Sequence, residues 1–321
     1  MQRTSRLQAT YVLPLKSTKI AELAELAAYV NALPVDQVIV VDGSEPDAFD
    51  ELSRRLISRV LHIRTDADIP GRNGKVRNVL TALRRAENER IVIADDDVRY
   101  RTENLRDVLN ALDSAEVVRP QNYFDPLPWH ALLDTGRTLI NRALDGDWPG
   151  TLAFRRSCLP RGYNADVLFE NFELVRTIKA RRGREAVARN IYVLRRPPST
   201  AHFFSQRVRQ AYDEFARPVR LGAALVILPL VAVSLATRMW VVPIALLALT
   251  LALATFGRMR DDGKRYFPAL AIAAAPFWVF ERALCAWLAL YLRLRYGGVR
   301  YAGGILRDAA STATELRRWA V

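Results

Sequence analysis

The hydrophobic pattern divides the chain near residue 220. Before that point short apolar runs alternate with segments of helical period, and after it apolar residues continue almost unbroken to residue 294. In the first part Tyr11–Leu15, Gln37–Val41, Leu61–Arg64 and Ile91–Ala94 read as strands, because compact β-branched and apolar runs suit strands buried on both faces. Between them Lys19–Leu33, Pro46–Val60 and Lys75–Glu87 place apolar residues at helical spacing. Strands alternating with helices predict a parallel sheet covered on both faces. Ligands of such sheets bind beyond the carboxyl ends of the strands. Two acidic positions fall there: Asp42, at the end of the second strand, and Asp95-Asp96-Asp97, directly after the fourth.

Three adjacent carboxylates need an explanation. Two of them about 4 Å apart repel by roughly 4 kcal/mol at an effective dielectric near 20, so the triplet calls either for a cation or for solvent. A plain alternative is that Asp97 caps a later helix.

Beyond residue 220, Leu221–Ala236 and Met239–Phe256 are apolar runs parted by Thr237-Arg238. The longer would span about 27 Å as a helix, enough for most of a bilayer core. Arg258, Arg260, Lys264 and Arg265 follow them, which by the positive-inside rule puts that loop on the cytoplasmic side. A third apolar stretch, Phe267–Leu294, is interrupted by Glu281-Arg282, and a single crossing there would carry Arg293, Arg295, Arg300 and Arg307 outside. The pattern predicts a bent or re-entrant pair, Pro268–Phe280 and Ala283–Leu292, that returns a basic tail to the cytoplasm, with a plain third span as the alternative. Ahead of these runs Phe204, Val208, Ala211, Tyr212 and Phe215 form a helical stripe, read as an amphipathic interfacial helix over 203–220, with ordinary packing against the domain core as the alternative.

Composition narrows the classes. With 321 residues and a formal net charge of +13 the chain is basic, which suits anionic lipid headgroups. Its basic residues are not interleaved with aromatics in a nucleic-acid-binding motif, and the apolar half would have no role there. Cys158 and Cys285 are too far apart to imply a disulfide framework, and His62, His130 and His202 lack metal-ligand spacing. Met1–Leu7 is polar and Ala9–Leu15 too short for a signal core, so the first 220 residues are expected to remain cytoplasmic.

Read in order, the motifs resemble those of glycosyltransferase family 2 and of the related ceramide glucosyltransferases. Val40-Val41-Asp42-Gly43-Ser44, Gly74-Lys75-Val76-Arg77-Asn78, Asp95-Asp96-Asp97, Trp148-Pro149-Gly150-Thr151 with Phe169-Glu170-Asn171-Phe172-Glu173-Leu174, and Gln206-Arg207-Val208-Arg209 carry the resemblance. It implies an α/β fold of the GT-A (Rossmann-like) type over 1–202, with the interfacial helix at 203–220, a C-terminal α-helical transmembrane region at 221–294 and the basic tail at 295–321. It implies a nucleotide-sugar donor whose diphosphate is neutralised by Mg2+ or Mn2+. Asp95 and Asp97 would be the metal-side ligands, Asp96 would lie nearer the ribose, Asp42 would accept hydrogen bonds from uracil or ribose, and Lys75 would touch the nucleotide or diphosphate. Asp42 is alternatively a turn residue, and Lys75 a first-turn surface residue.

Two departures matter. Where the family places an aspartate as general base, this chain has Asn171, which cannot take a proton. Either Glu170 or Glu173 supplies the base, with Glu170 preferred, or the acceptor is already ionised, as a polyprenyl phosphate is, or the protein is a non-catalytic scaffold that binds nucleotide sugar. Gln210 replaces the tryptophan that follows the family's final motif, while Gln206 and Arg209 still share a helical face, with the arginine able to pair with the departing diphosphate. The resemblance implies transfer of a hexose, from a UDP-sugar as the expected donor, to a lipid acceptor with inversion. Processive polymer synthesis is disfavoured by the small number of apolar helices.

Overall fold

A computed structural model describes residues 6–17, 20–301 and 304–320. Eight strands form one sheet: β1 (Leu7–Leu15), β2 (Val35–Asp42), β3 (Val60–Ile63), β4 (Arg90–Ala94), β5 (Val98–Arg99), β6 (Val117–Phe124), β7 (Thr151–Arg155) and β8 (Glu185–Arg195). Their order is β3-β2-β1-β4-β7-β6-β8-β5. The helices that alternate with them are α1 (Leu23–Ala32), α2 (Pro46–Arg55), α3 (Gly74–Leu83), α4 (Thr102–Ala111), α5 (Trp129–Ala143) and α6 (Glu170–Ala180). All four strands expected from periodicity exist, with ends shifted by a few residues. Lys19, where the first helix was expected to begin, lies outside the described residues.

The first four strands are mutually parallel, as expected, with Leu15 beside Asp42 and Thr10 beside Ile91. The sheet as a whole is mixed, because β7 runs antiparallel to both β4 and β6. This corrects the expectation of a parallel sheet, since an apolar run records burial and not direction. Tyr11, Val12, Val38, Ile39, Ile91 and Val92 are fully buried at its centre. The strand order reverses at β1, between β2 and β4, which is where such sheets open a crevice at their carboxyl edge. Asp42 and Asp95 flank it from either side of β1.

The chain forms two compact units, one comprising Met1–Pro120, Pro149–Val193 and Ser311–Val321, the other Gln121–Trp148 and Leu194–Ala310. The expected boundary at 202 and the separate tail from 295 do not follow the contacts. Residues 121–148 join the C-terminal half, and the last residues return to the sheet-bearing unit. Its short helix α11 (Ala313–Ala320) packs on α6.

The second unit holds α5, α7 (Thr200–Tyr212), α8 (Pro218–Ala236), α9 (Val241–Met259), α10 (Leu270–Tyr296) and a hairpin of β9 (Val299–Tyr301) and β10 (Gly304–Leu306). Three helices, α8, α9 with the turns that extend it to Arg265, and α10, are long and apolar enough to cross a membrane. The bent pair expected between 268 and 292 is instead a single helix, continuous through Glu281-Arg282. Glutamate and arginine are good helix formers, so a charge pair in an apolar run does not break the backbone. The interfacial helix expected over 203–220 is also different. α7 ends at Tyr212, one turn of 3-10 helix covers Asp213–Ala216, and α8 begins at Pro218. Its apolar stripe is split, with Ala211 and Tyr212 buried and Phe204 exposed.

Charged groups are buried in this unit. Asp134 on α5 pairs with Arg137 at 3.0 Å and with Arg207 of α7 at 3.2 Å, and Arg137 reaches Asp147 at 2.8 Å. Burial disfavours the Asp134 charge, but the two guanidinium groups outweigh it and hold the carboxyl well below the usual range. Arg142, 1% exposed, donates to Gln121 Oε1, Gly257 O and Arg260 O.

Candidate active site

The carboxyl edge of the sheet gathers the charged residues of the first unit. Asn73 caps α3, its side chain accepting from the Lys75 and Val76 amides and donating through Nδ2 to Val167 O at 2.9 Å. This fixes Lys75 in the first helical turn. Its ammonium lies 2.5 Å from Asp95 Oδ1 and 2.8 Å from Glu170 Oε1. Three elements meet there: the start of α3, the tip of β4 and the first residue of α6. Each of the three side chains is about one-fifth exposed. Burial works against the lysine's charge, yet Asp95 and Glu170 together outweigh it and raise its pKa, so Lys75 is a fixed cation. The surface-residue reading of Lys75 is thereby replaced.

Asp95 is held on its other side by the backbone, its amide donating to Gly150 O at 2.8 Å. Thr151 Oγ1 donates to Ile93 O at 2.6 Å and meets Tyr100 Oη at 2.9 Å, which clamps β7 to the end of β4. Asp96 is exposed and Asp97 half-buried. Asp97 does not cap a helix, because Val98–Arg99 forms β5 first and α4 starts at Thr102, where Arg101 N is satisfied by Asn104 Oδ1. Among the described residues no three His, Cys, Asp or Glu side chains stand at metal-binding spacing.

Asp42 is fully buried. Its Oδ1 accepts from Ser44 N at 2.8 Å, the turn expected from the sequence, and its Oδ2 lies 3.2 Å from His62 Nε2. Burial alone would raise the Asp42 pKa, but the bonds from His62 and Ser44 hold it below the usual carboxylate range. His62 in turn meets Ser53 Oγ at 2.7 Å and stacks on Phe49 at 4.0 Å, and the Arg64 guanidinium covers that ring at 3.9 Å. Periodicity did not single out His62. Parallel pairing of β3 with β2 sets it opposite Val40 and so beside Asp42. Asn78, quoted within a motif but given no role, donates through Nδ2 to Leu15 O and Val41 O, tying the ends of β1 and β2 together below the crevice.

The α6 motif divides its labour. Glu170 faces Lys75, whereas Asn171 donates through Nδ2 to Pro149 O at 2.9 Å. A carboxylate at 171 could not make that bond and would face a carbonyl instead. Asn171→Asp is therefore expected to cost about 1–2 kcal/mol of stability and to leave the transfer rate no higher than that of the parent. Denaturant unfolding and a rate assay on the same preparation check both. Glu173 is fully buried, its Oε2 accepting from Ser311 N at 2.9 Å, and burial raises its pKa. The C-terminal segment covers it through the Ser311 amide.

Gln206 and Arg209 lie on α7, in the second unit. Gln206 is half-buried with Nε2 on Ser205 Oγ at 3.3 Å, and the Arg209 guanidinium sits 5.3 Å over the Tyr301 ring. Gln210, in place of the motif's tryptophan, accepts from Arg207.

Residues 20–158 match the model of glycosyl transferase family 2. No curated protein matches the chain. Among solved structures, the mannosyltransferase PcManGT from Pyrobaculum calidifontis, in complex with GDP-Man and Mn2+, aligns over 86% of this chain and 88% of its own at 22% identity, with a TM-score of 0.52. Glucosyl-3-phosphoglycerate synthase from Mycobacterium tuberculosis, with Mn2+, UDP-glucose and phosphoglyceric acid, aligns over 61% and 74% at 15% identity and a TM-score of 0.44. Mannosyl-3-phosphoglycerate synthase from Rubrobacter xylanophilus aligns over 62% and 70% at 16% identity and 0.43. Residues 20–158, under half of the chain, thus match the family 2 glycosyltransferase model, and the chain shares the GT-A fold with the mannosyltransferase.

Proposed function

We propose that this chain is a membrane-bound glycosyltransferase that moves a hexose from a nucleotide sugar to a lipid acceptor with inversion. The observation that carries the reading is the convergence of Lys75 and Asp95, inside the segment that matches the family 2 model, with Glu170, beyond it, at the carboxyl edge of β4. A UDP-sugar remains the expected donor, and a GDP-sugar is tested beside it because PcManGT was solved with GDP-Man.

Asp95 and Asp97 offer hard carboxylate oxygens from one turn, a donor set that fits Mg2+ or Mn2+ once diphosphate oxygens and water complete it. Such an ion supplies charge neutralisation at the leaving diphosphate. The chain's own residues do the rest. Lys75, kept charged, adds a second positive group beside the same position. Asp42 and the exposed Asp96 engage the nucleoside, and the His62–Phe49–Arg64 stack holds the Asp42 carboxylate in one orientation. Arg209, which shares a helical face with Gln206, would pair with the departing diphosphate, as the resemblance implies.

Glu170 is the base that takes the proton of an acceptor hydroxyl. A second reading is favoured by Asn171, whose amide is committed to Pro149 O: an acceptor that presents a phosphate oxygen is already ionised and needs little base assistance. Glu170→Gln separates the two. With a hydroxyl acceptor, transfer is expected to fall by about 10²–10⁴-fold while donor affinity, measured by calorimetry, stays within a few-fold. An unchanged rate selects the phosphate acceptor. Donor binding without transfer by the parent, across a panel of nucleotide sugars with Mn2+, would leave only the scaffold reading.

A further inference from the structure

We propose that α10 does not cross the bilayer but lies along its surface, on the face where α8 begins and α9 ends, so that the chain crosses only twice, through α8 and α9. The inference rests on the membrane reading above and concerns where the third apolar helix goes.

Both ends of α10 are tied to residues of one membrane face. If α8 and α9 cross as a hairpin through the turn at 237–240, the start of α8 and the end of α9 emerge together. The start of α10 is fastened to the end of α9, with Arg258 Nε donating to Phe267 O at 2.8 Å. The end of α10 is fastened to the residues just before α8: Arg293 Nη1 reaches Tyr212 Oη at 3.4 Å and its guanidinium lies 4.6 Å over the Phe215 ring. Between them Trp287 Nε1 donates to Leu225 O, at the start of the third turn of α8, at 3.0 Å. A helix of 27 residues is about 40 Å long. Set across the bilayer, it would carry its far end away from the start of α8, not to it.

The side chains agree. One face of α10 is exposed along its whole length and carries Phe277, Phe280, Leu284, Leu288, Tyr291 and Leu294. The opposite face is buried from Ala271 through Ala275, Trp278, Arg282 and Ala286 to Ala289. Its partners include the polar helix α5, approached so closely at Gly136 that a Cβ there would stand 2.8 Å from Ala275 N. A spanning helix leaves its polar neighbours after a few turns, whereas α10 keeps a protein-facing side throughout. Arg282, 5% exposed at its middle, is then held at protein depth rather than at the bilayer centre, where a charge is costly. The apolar face is left for the boundary between headgroups and acyl chains.

The chain after α10 gives independent support. Ser311 donates its amide to Glu173 Oε2 at 2.9 Å and accepts from Arg176 Nη1 at 2.6 Å, both within the sheet-bearing unit. Three crossings would deliver Ser311 to the face opposite that unit. Two crossings deliver it to the same face.

The test is labelling of single cysteines in sealed vesicles of both orientations with a membrane-impermeant maleimide, in a Cys158→Ser/Cys285→Ala background. Glu103→Cys marks the glycosyltransferase face, Thr237→Cys the α8–α9 turn, and Lys264→Cys and Arg300→Cys the two ends of α10; all four positions are exposed. Lys264→Cys and Arg300→Cys are expected to label with Glu103→Cys, and Thr237→Cys from the opposite face. Arg300→Cys labelling with Thr237→Cys overturns the proposal while leaving the membrane reading intact. Thr237→Cys labelling with Glu103→Cys, or release of the protein by alkaline carbonate, overturns the membrane reading itself. Arg265→Cys and Arg295→Cys are the replacement pair if either end variant fails to accumulate.

Discussion

Asp95→Asn is expected to lower glycosyl transfer by about 10³-fold, the scale of losing a positioned charge at a reacting centre, with the fold intact. The backbone at 95 is held independently of the carboxylate by its bond to Gly150 O, and Lys75 keeps Glu170 as its partner at 2.8 Å. The substitution is nearly isosteric and the side chain is partly exposed, so little stability is lost. What disappears is one of the two counter-charges that orient Lys75 and, on the proposed reading, a hard anionic ligand. Added Mn2+ should not restore the rate, and donor affinity should lose its metal dependence. Asp97→Asn should behave alike, whereas Asp96→Asn, at an exposed position, should cost about tenfold or less. A steady-state assay with titrated metal reads all three, and an Asp95→Asn enzyme within threefold of the parent would remove Asp95 from the metal side.

Gly257→Val should have the largest effect on stability. On α9 this glycine lies against α5, and a Cβ at 257 would overlap the carbonyl oxygen of Leu139. That neighbour is backbone and cannot rotate away as a side chain would, and α5 is further pinned by Arg142, which donates to Gly257 O. The helices must separate, at a cost of about 3 kcal/mol, the upper end for overpacking, or roughly 6–12 °C in melting temperature for a unit of this size. Gly222 on α8 provides the control, since a Cβ there meets nothing within 4 Å. Gly222→Ala should be neutral or slightly stabilising through its better helix propensity. Thermal unfolding of both variants in the same detergent decides the matter, and equal melting temperatures would mean that α9 does not pack on α5 as described.

Part of this protein was legible in its sequence because the relevant physics is local. Ile91–Ala94 had to be a buried strand, and an aspartate triplet directly after it had to lie at the carboxyl edge of the sheet. The start of α3 was readable to within a residue, at Lys75 against Gly74, whereas its cap by Asn73 emerged only in the structure. Direction and partnership were not. The pattern of Thr151–Arg155 records that the strand is covered, and its antiparallel course depends on how residues 125–148 return the chain to β4. Lys75 and Glu170 are 95 positions apart, His62 and Asp42 20, Ser311 and Glu173 138, so each pair exists only because the strands and helices are stacked.

The third apolar segment makes the same division. Its composition marked 267–294 as apolar but not as the single helix α10, whose mean hydropathy of 1.3 lies below the 2.2 and 1.9 of α8 and α9. Whether such a helix crosses a bilayer or rests on it depends on what holds its two ends and on where the chain must go next. Those constraints come from Arg293 beside Tyr212 and from Ser311 beside Glu173. Hydrophobic burial is non-directional, so the sequence alone determined what must leave water, and the tertiary structure decided against which surface it would do so.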